Sequence, residues 1–206
     1  MDFADEFNNI NMEVGEGVEV QKMPSKEELT SSLNEIFKAT SDAALIGGVG
    51  CDILLHGDII GPHKDIDMVA DVNKSQGILT ALQELGYKGG IEKTNVEKIK
   101  LFNGNVEVGI GLLQSDRTGG VQTTYEGSEV HFDKSILGED KNVGGVKIKV
   151  ASPLGIIQTL NLPSALGGIP SEKHVSARVA IGNKYFPGET TDGGVFIPEV
   201  VRNNEE

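Results

Sequence analysis

The chain has 206 residues, a formal net charge of −13 and 38% hydrophobic residues, which suits one globular core with modest extensions. No apolar run approaches the length of a membrane span, so we expect no membrane association. A surface this acidic repels a phosphate backbone, which argues against broad nucleic-acid binding and favours cationic partners or simply solubility.

The acidic, Asn-rich segment 1–23 has little hydrophobic pattern, and we predict that it is an extension outside the core. Its first 19 residues contain six acids and neither Lys nor Arg. This charge is opposite to that of signal and transit peptides, so we expect a cytoplasmic protein. The lone cysteine, Cys51, has no internal disulfide partner, which fits a reducing compartment, and we expect it in the core.

Segment 24–186 carries the hydrophobic patterns of a folded domain. Ser25 is followed three residues later by Glu28, which is the spacing of a capping box and predicts a helix start. Apolar residues then recur at helical spacing and predict an amphipathic helix of about four turns. These residues are Leu29, Leu33, Ile36 and Phe37.

The next segments alternate between strand and helix patterns. The apolar run 43–46 predicts a buried strand, and 49–55 predicts a short helix that ends at a glycine. A second strand is predicted over 66–69. Asn73 is the predicted N-cap of another amphipathic helix, which ends at Gly86.

Three extended segments follow, over 89–94, 96–102 and 106–113, and the last of them alternates between apolar and other residues. Asn103-Gly104 between the last two segments predicts a hairpin. The remaining predictions, in chain order, are short strands over 129–132 and 146–150, a helix over 152–160 that opens with Ser-Pro, a loop over 162–170, a helix over 171–184 and an irregular tail over 187–206.

Two acidic residues, Asp65 and Asp67, lie two positions apart on the second predicted strand. Residues at this spacing point to the same face of a strand, so both carboxylates face one way while Ile66 points into the core. Two such carboxylates repel each other unless a positive charge lies between them. A hard cation such as Mg²⁺, bound by carboxylates and substrate phosphates, supplies that charge.

Other residues extend this hypothesis. Glu107 interrupts the alternating strand 106–113 and becomes a third carboxylate if that strand lies beside the first two, although Glu97 on the neighbouring strand is a rival. Gly47-Gly48 stands between a strand and a helix, where backbone N–H groups can hold a phosphate, or else forms only a tight turn.

Two runs of this sequence, Gly-Gly-Val-Gly-Cys-Asp over 47–52 and Gly-Pro-His-Lys-Asp-Ile-Asp over 61–67, resemble the nucleotidyltransferase superfamily. The resemblance is closest to its lincosamide and aminoglycoside branch. That branch has a Gly-Gly turn, an Asp four residues later and a His-x-Asp-Ile-Asp segment, and here Asp52 and His63 match. The likeness is good over residues 43–71 and looser beyond them.

The resemblance implies an α/β (α+β) fold with a nucleotidyltransferase-like mixed β-sheet and flanking helices. It implies two Mg²⁺ ions held by Asp65, Asp67 and Glu107. The implied reaction moves a nucleoside monophosphate from a nucleoside triphosphate to a hydroxyl of a small molecule or macromolecule, with Glu107 as the candidate base. The residues implied to bind the nucleotide are Gly47, Gly48, His63 and Lys173.

The sequence also departs from relatives of this kind. They often have Arg where this chain has Gly61, and they place an Asp after the lysine where this chain has Lys173-His174. The helical C-terminal region is also short. These departures motivate a second hypothesis, a catalytically weak or inactive binding or regulatory module with a protein partner, for example a toxin–antitoxin component.

Further alternatives concern single residues. Gly48-Val49-Gly50 after a strand hints at a dinucleotide-binding turn, although its third glycine is missing. Asp52 is expected to bond to the backbone near the Asp strand, and His63 either contacts phosphate or stabilises the turn. The net charge alone suggests a cationic acceptor such as an aminoglycoside.

Overall fold

The structure is a computed structural model that describes residues 23–93 and 96–202. Of the predicted N-terminal extension, 1–23, all but the last residue lies outside the described part, and so do the last four residues of the predicted tail. The described residues form a mixed β-sheet with flanking helices. The predicted fold class is therefore confirmed.

The described residues contain five α-helices, which are α1 (Lys26–Ala39), α2 (Gly47–His56), α3 (Ser75–Glu84), α4 (Pro153–Ala165) and α5 (Glu172–Tyr185). They contain ten strands, which are β1 (Ala43–Leu45), β2 (Asp65–Asp71), β3 (Lys88–Lys93), β4 (Glu97–Asn103), β5 (Val106–Ser115), β6 (Val121–Tyr125), β7 (Ser128–Phe132), β8 (Glu139–Val143), β9 (Val146–Val150) and β10 (Glu199–Arg202). Short 3-10 helices cover Val72–Lys74, Lys134–Leu137 and Gly194–Phe196.

The strands lie in the order β10-β7-β6-β5-β2-β1-β9-β8, and the β3–β4 hairpin pairs with β5. The sheet is mixed because β2 is parallel to β5 while β1 is antiparallel to β2. A dinucleotide-binding unit needs parallel strands on either side of its helix. The reading of residues 48–50 as such a turn is therefore wrong, since α2 connects two antiparallel strands.

Local sequence signals explain several elements. The capping box of α1 is present, because Ser25 Oγ accepts the Glu28 N–H at 3.2 Å and the Glu28 carboxylate accepts the Ser25 N–H at 2.7 Å. The predicted hairpin joins β4 to β5, and Gly104 adopts φ +57°, which favours glycine. Cys51 is buried in the core, as expected.

Some element boundaries differ from the predictions. Helix α2 begins at Gly47, two residues earlier than predicted. The predicted N-cap at Asn73 is wrong, because the Asp71 carboxylate accepts the Asn73 N–H at 2.8 Å and caps a 3-10 turn instead. Helix α4 continues through Pro163 to Ala165, so the predicted loop 162–170 starts later than expected.

Three strands, β6, β8 and β10, were not predicted. Part of the segment predicted as an irregular tail is regular, since it contains the buried Phe196 and strand β10, which pairs with β7. None of the helices in residues 23–93 and 96–202 combines the length and apolar character that crossing a bilayer requires.

The pairing of β1 with β2 brings the start of α2 close to the first residues of β2. The C-terminal end of β1 lies beside the N-terminal half of β2, where the Ile46 N–H donates to the Asp67 carbonyl at 2.9 Å. Helix α2 starts at once after this contact. The start of α2 and the acidic end of β2 are therefore neighbours.

Candidate active site

The two aspartates of β2 lie on one face of the sheet, as their spacing predicts. Along β2, Asp65 and Asp67 are half-buried, while Ile66 and Met68 on the other face are fully buried. The apolar face anchors the strand in the core. The opposite face is thereby left with two carboxylates pointing into one cavity.

Glu107 lies beside these aspartates. Its strand, β5, is parallel to β2 and pairs Glu107 directly with Asp65, so both side chains are on the same face. The Glu107 carboxylate is 3.0 Å from Lys100 Nζ, and Glu107 is not among the residues that line the cavity. The rival Glu97 forms an ion pair with Lys93 at 3.2 Å.

The three carboxylates act on one another electrostatically. Burial, together with the negative charges of Asp65 and Glu107, raises the pKa of Asp67 from 3.8 to about 6. Lys98 and Lys173 oppose this rise but do not cancel it. A carboxylate that is costly to ionise in a cavity is typical of a functional site.

The predicted Gly-Gly pair forms the first turn of α2, next to the aspartates. Gly47 has φ +60°, and a Cβ atom there would lie 2.6 Å from Asp67 Oδ2. A Cβ atom at Gly48 would lie 2.6 Å from His63 Nδ1 and 3.6 Å from Lys173 Nζ. The first N–H groups of a helix have no helical acceptor, and the apolar side chain of Ile46 at the N-cap offers none.

His63 is held by Asp52. The buried His63 ring places Nε2 at 2.8 Å from Asp52 Oδ2, and the same oxygen accepts the backbone N–H groups of Ile60 and Gly61 at 2.8 and 2.9 Å. Although burial opposes ionisation, these hydrogen bonds lower the pKa of Asp52 below its usual value. The expected bond from Asp52 to the backbone is confirmed, and Asp52 also orients His63 towards Gly48.

Helix α5 covers the site from the other side. Its N-terminus carries Lys173 and His174, and both line the cavity. At its other end, Lys184 Nζ and the Tyr185 hydroxyl donate to carbonyl groups at the C-terminus of α2. Two contacts thus fix α5 across α2, with its first turn above the Gly-Gly pair.

These groups surround a cavity of about 470 Å³. Its lining includes the predicted residues Gly47, Gly48, His63, Asp65, Asp67 and Lys173. It also includes Cys51, whose pKa burial raises to about 12, so this thiol is not a nucleophile at neutral pH. The cavity therefore presents free helix N–H groups and a lysine opposite two carboxylates.

The carboxylates of the cavity suit a metal ion only together with a substrate. Within the described residues, no three His, Cys, Asp or Glu side chains are arranged to hold an ion by themselves. Asp65 and Asp67 nevertheless suit Mg²⁺, because this ion is commonly bound by one or two carboxylates together with substrate phosphates. The raised pKa of Asp67 shows that a nearby cation would be favourable.

Sequence reasoning missed two features of the site. The link from Asp52 to His63 crosses 11 residues of chain and depends on how the loop after α2 turns back. His174 was noted for the acidic residue missing after it, yet its ring lines the cavity. Its position depends on where α5 packs, which no local pattern specifies.

Several known proteins are similar to this chain. The family model for aminoglycoside-2''-adenylyltransferase matches residues 28–159. The crystal structure of the lincosamide antibiotic adenylyltransferase LnuA with lincomycin bound is 19% identical, with a TM-score of 0.55 over 78% of this chain and 98% of that chain. No curated protein sequence matches the chain.

Two structures of the antibiotic-resistance factor ANT(2'')-Ia are also similar. Its solution structure has a TM-score of 0.57 and 14% identity, over 78% of this chain and 85% of that chain. Its crystal structure in complex with adenylyl-2''-tobramycin has a TM-score of 0.55 and 15% identity, over 76% and 88% of the two chains. These likenesses concern the fold. Because the family model spans well over half of the sequence, the chain belongs to the aminoglycoside-2''-adenylyltransferase family and is a nucleotidyltransferase.

Proposed function

We propose that this protein transfers a nucleoside monophosphate from a nucleoside triphosphate to a hydroxyl group of a small molecule. The observation that carries the proposal is the pair Asp65 and Asp67, both facing a cavity that also contains the start of α2 and Lys173. The family supports it. So do the antibiotics bound to the similar structures, which are lincomycin for LnuA and an adenylylated tobramycin for ANT(2'')-Ia.

In this proposal the triphosphate lies against the first turn of α2. Helix N-terminal N–H groups and the helix dipole favour an anion there, and the absence of side chains at Gly47 and Gly48 allows close approach. Lys173 adds a positive charge from α5. His63, oriented by Asp52, lies beside Gly48 and can contact the same phosphates.

Asp65 and Asp67 would hold Mg²⁺ jointly with these phosphates. When bound, the ion supplies positive charge that favours the attacking hydroxyl oxygen and the leaving pyrophosphate. Glu107 is the proposed third ligand, and its ion pair with Lys100 has to open for this role. A second ion remains a prediction that requires Glu107.

The reaction joins the acceptor's hydroxyl oxygen to the α-phosphorus. The bond from that phosphorus to the bridging oxygen breaks, and pyrophosphate leaves with the electron pair. The hydroxyl proton passes to a carboxylate, for which Glu107 is our candidate. The acidic surface, with a net charge of −13, favours an acceptor that carries positive charge.

A transfer assay tests this proposal. The purified chain is given Mg²⁺, each of the four α-labelled triphosphates and a panel of hydroxyl compounds that includes lincomycin and tobramycin. We expect labelled product, and we expect Asp65→Asn and Asp67→Asn each to lower its rate by about 100-fold or more, because each removes a cation ligand.

Asp140→Asn is the matched control. Asp140 lies on the edge strand β8 and pairs with Lys147 of β9, so this variant should leave transfer unchanged. Transfer that survives in both aspartate variants would contradict the proposal. A folded native chain that transfers nothing but retains a protein partner would favour the inactive regulatory module instead.

A further inference from the structure

A second cavity adjoins the first. It has a volume of about 310 Å³, which is in the range of small-molecule sites. The two cavities share four lining residues, namely Gly47, Asp67, Leu160 and His174. A compound in the second cavity therefore meets a triphosphate in the first cavity at Asp67 and His174.

The lining of the second cavity is mainly apolar. Its aliphatic and aromatic residues come from the sheet, from the N-cap of α2, from the 3-10 helix before β8 and from α4, and they include Ile46, Val69, Leu113, Phe132, Ile136 and Leu162. Among the described residues that line it, Asp67 is the single acid, and neither Lys nor Arg is present. Such a surface favours an apolar group over a charged amine.

A glycine forms part of the cavity's floor. Gly111 on β5 lies on the cavity side of the sheet, beside Val69 of β2. A Cβ atom at Gly111 would be 3.7 Å from Val69 Cγ1, which is an ordinary contact distance. The open space above this part of the sheet thus results from a missing side chain that the backbone would tolerate.

One polar atom in the lining has no hydrogen-bond partner in the described part of the chain. His174 Nδ1 is buried and accepts or donates no hydrogen bond among the described residues. Leaving a buried polar atom unpaired is unfavourable. The His174 ring thus lies at the junction of the two cavities with one of its nitrogens unpaired among the described residues.

We propose that the second cavity binds the apolar part of the acceptor, so that the substrate is an amphipathic hydroxyl compound. This inference rests on the proposed transfer reaction and adds the chemical class of its acceptor. The hydroxyl lies at the junction, next to Asp67 and His174, where it faces the triphosphate. A cationic acceptor would carry its charge outside this cavity, because Asp67 is the one acid among the described lining residues and no further carboxylate is there to pair with an amine.

Binding of two matched probes tests the inference. Methyl and hexyl β-D-glucoside have the same sugar hydroxyls and differ in five methylene groups. Calorimetric titration, below the micelle concentration of the hexyl compound, gives their dissociation constants with and without Mg²⁺ and ATP. If the chain enters the cavity, we expect each buried methylene to tighten binding about fourfold.

Variants locate the effect. Gly111→Val fills the floor of the cavity and should reduce the advantage of the hexyl over the methyl compound to less than threefold. Gly90→Val is the control, because Gly90 lies on the hairpin strand β3 and a Cβ atom there would touch nothing within 4 Å. This control should keep the full difference, and unchanged circular dichroism should accompany both variants.

The outcomes separate this inference from the proposed function. Equal binding of the two glucosides, or a chain-length effect that Gly111→Val does not reduce, would overturn the acceptor cavity even if ATP binds as proposed. Loss of the effect in Gly111→Val but not in Gly90→Val supports it. Failure of ATP binding in the same titrations would count against the transfer reaction and not against an apolar site.

Discussion

Asp67 combines burial with two neighbouring negative charges. Its pKa rises from 3.8 to about 6, which means that ionising this carboxyl costs about 3 kcal/mol more in the folded protein than in water. The fold therefore maintains an unfavourable charge at neutral pH in the absence of a cation. The unfavourable interaction is the property that would favour binding of a metal and a triphosphate.

The stability of the metal-free protein should reflect this residue. Because the folded-state pKa of Asp67 is raised, the stabilisation that this residue contributes to the folded state is fully present below about pH 4. That stabilisation is lost as the pH rises through 6. We expect the free energy of unfolding of Asp67→Asn, relative to native protein, to rise by about 1–3 kcal/mol between pH 4 and pH 7. Urea unfolding in the presence of a chelator measures this difference.

For Asp140→Asn we expect the opposite change in relative stability with pH. The hydrogen bond to Lys147 lowers the pKa of Asp140, so its contribution to stability is present at neutral pH and is lost on acidification. The relative stability of this variant should fall, and not rise, as the pH increases. A difference for Asp67→Asn that does not change with pH would contradict the account of this residue.

At the level of single residues, the sequence pattern predicted several of the groups that lie around Asp67. Spacing alone placed Asp65 and Asp67 on one face, and the Gly-Gly pair followed from its position between a predicted strand and a predicted helix. The orientation of Glu107 towards Lys100 was not predictable, because it depends on the register of β4 against β5. The position of His174, whose Nδ1 has no partner within residues 23–93 and 96–202, likewise depends on tertiary packing.

Among the elements, helix α5 depends on a buried hydrogen-bonded cluster. Asn161 of α4 is almost fully buried, and its Nδ2 donates to the carbonyl oxygens of Thr191 and Phe196 at 2.8 and 2.9 Å. Its Oδ1 accepts from Arg178 Nη1 of α5 at 2.7 Å. One side chain therefore connects α4, α5 and the segment before β10.

Replacing this side chain should loosen the helix that carries Lys173. Asn161→Leu removes the hydrogen bonds that this side chain makes to two carbonyl groups and to Arg178 Nη1, and we expect a loss of about 2–4 kcal/mol in the free energy of unfolding. The exposed Asn183→Leu on α5 should change it by less than about 0.5 kcal/mol. Chemical denaturation compares the two variants, and equal effects would contradict the role of the cluster.

The helices and strands were predicted correctly where burial of one face gives the sequence a regular spacing of apolar residues. Helix α1 and strands β4 and β5 follow from apolar spacing and from the hairpin residues. Strand β8, with the sequence Glu-Asp-Lys-Asn-Val, has no apolar alternation and exists because β9 pairs with it. Likewise α4 extends past Pro163 because Asn161 and Leu160 are buried against neighbouring segments, which local propensity does not report.

For the whole molecule, the candidate site differs from the rest of the surface in its charge. The chain has a net charge of −13, yet one end of the sheet combines helix N–H groups, Lys173 and His63. The antiparallel pairing of β1 with β2 distinguishes this site from a dinucleotide-binding fold. The fold class was predictable from the motifs, whereas the two adjoining cavities arise from packing of the sheet, α4 and α5.

The most direct test is calorimetric titration of the native chain with ATP, GTP, CTP and UTP in the presence and absence of Mg²⁺. We expect at least one triphosphate to bind in a Mg²⁺-dependent manner, and we expect the double variant Asp65→Asn/Asp67→Asn to lose that binding while Asp140→Asn retains it. Metal-independent binding, or binding that survives in the double variant, would contradict a nucleotidyl-transfer site built on these two aspartates.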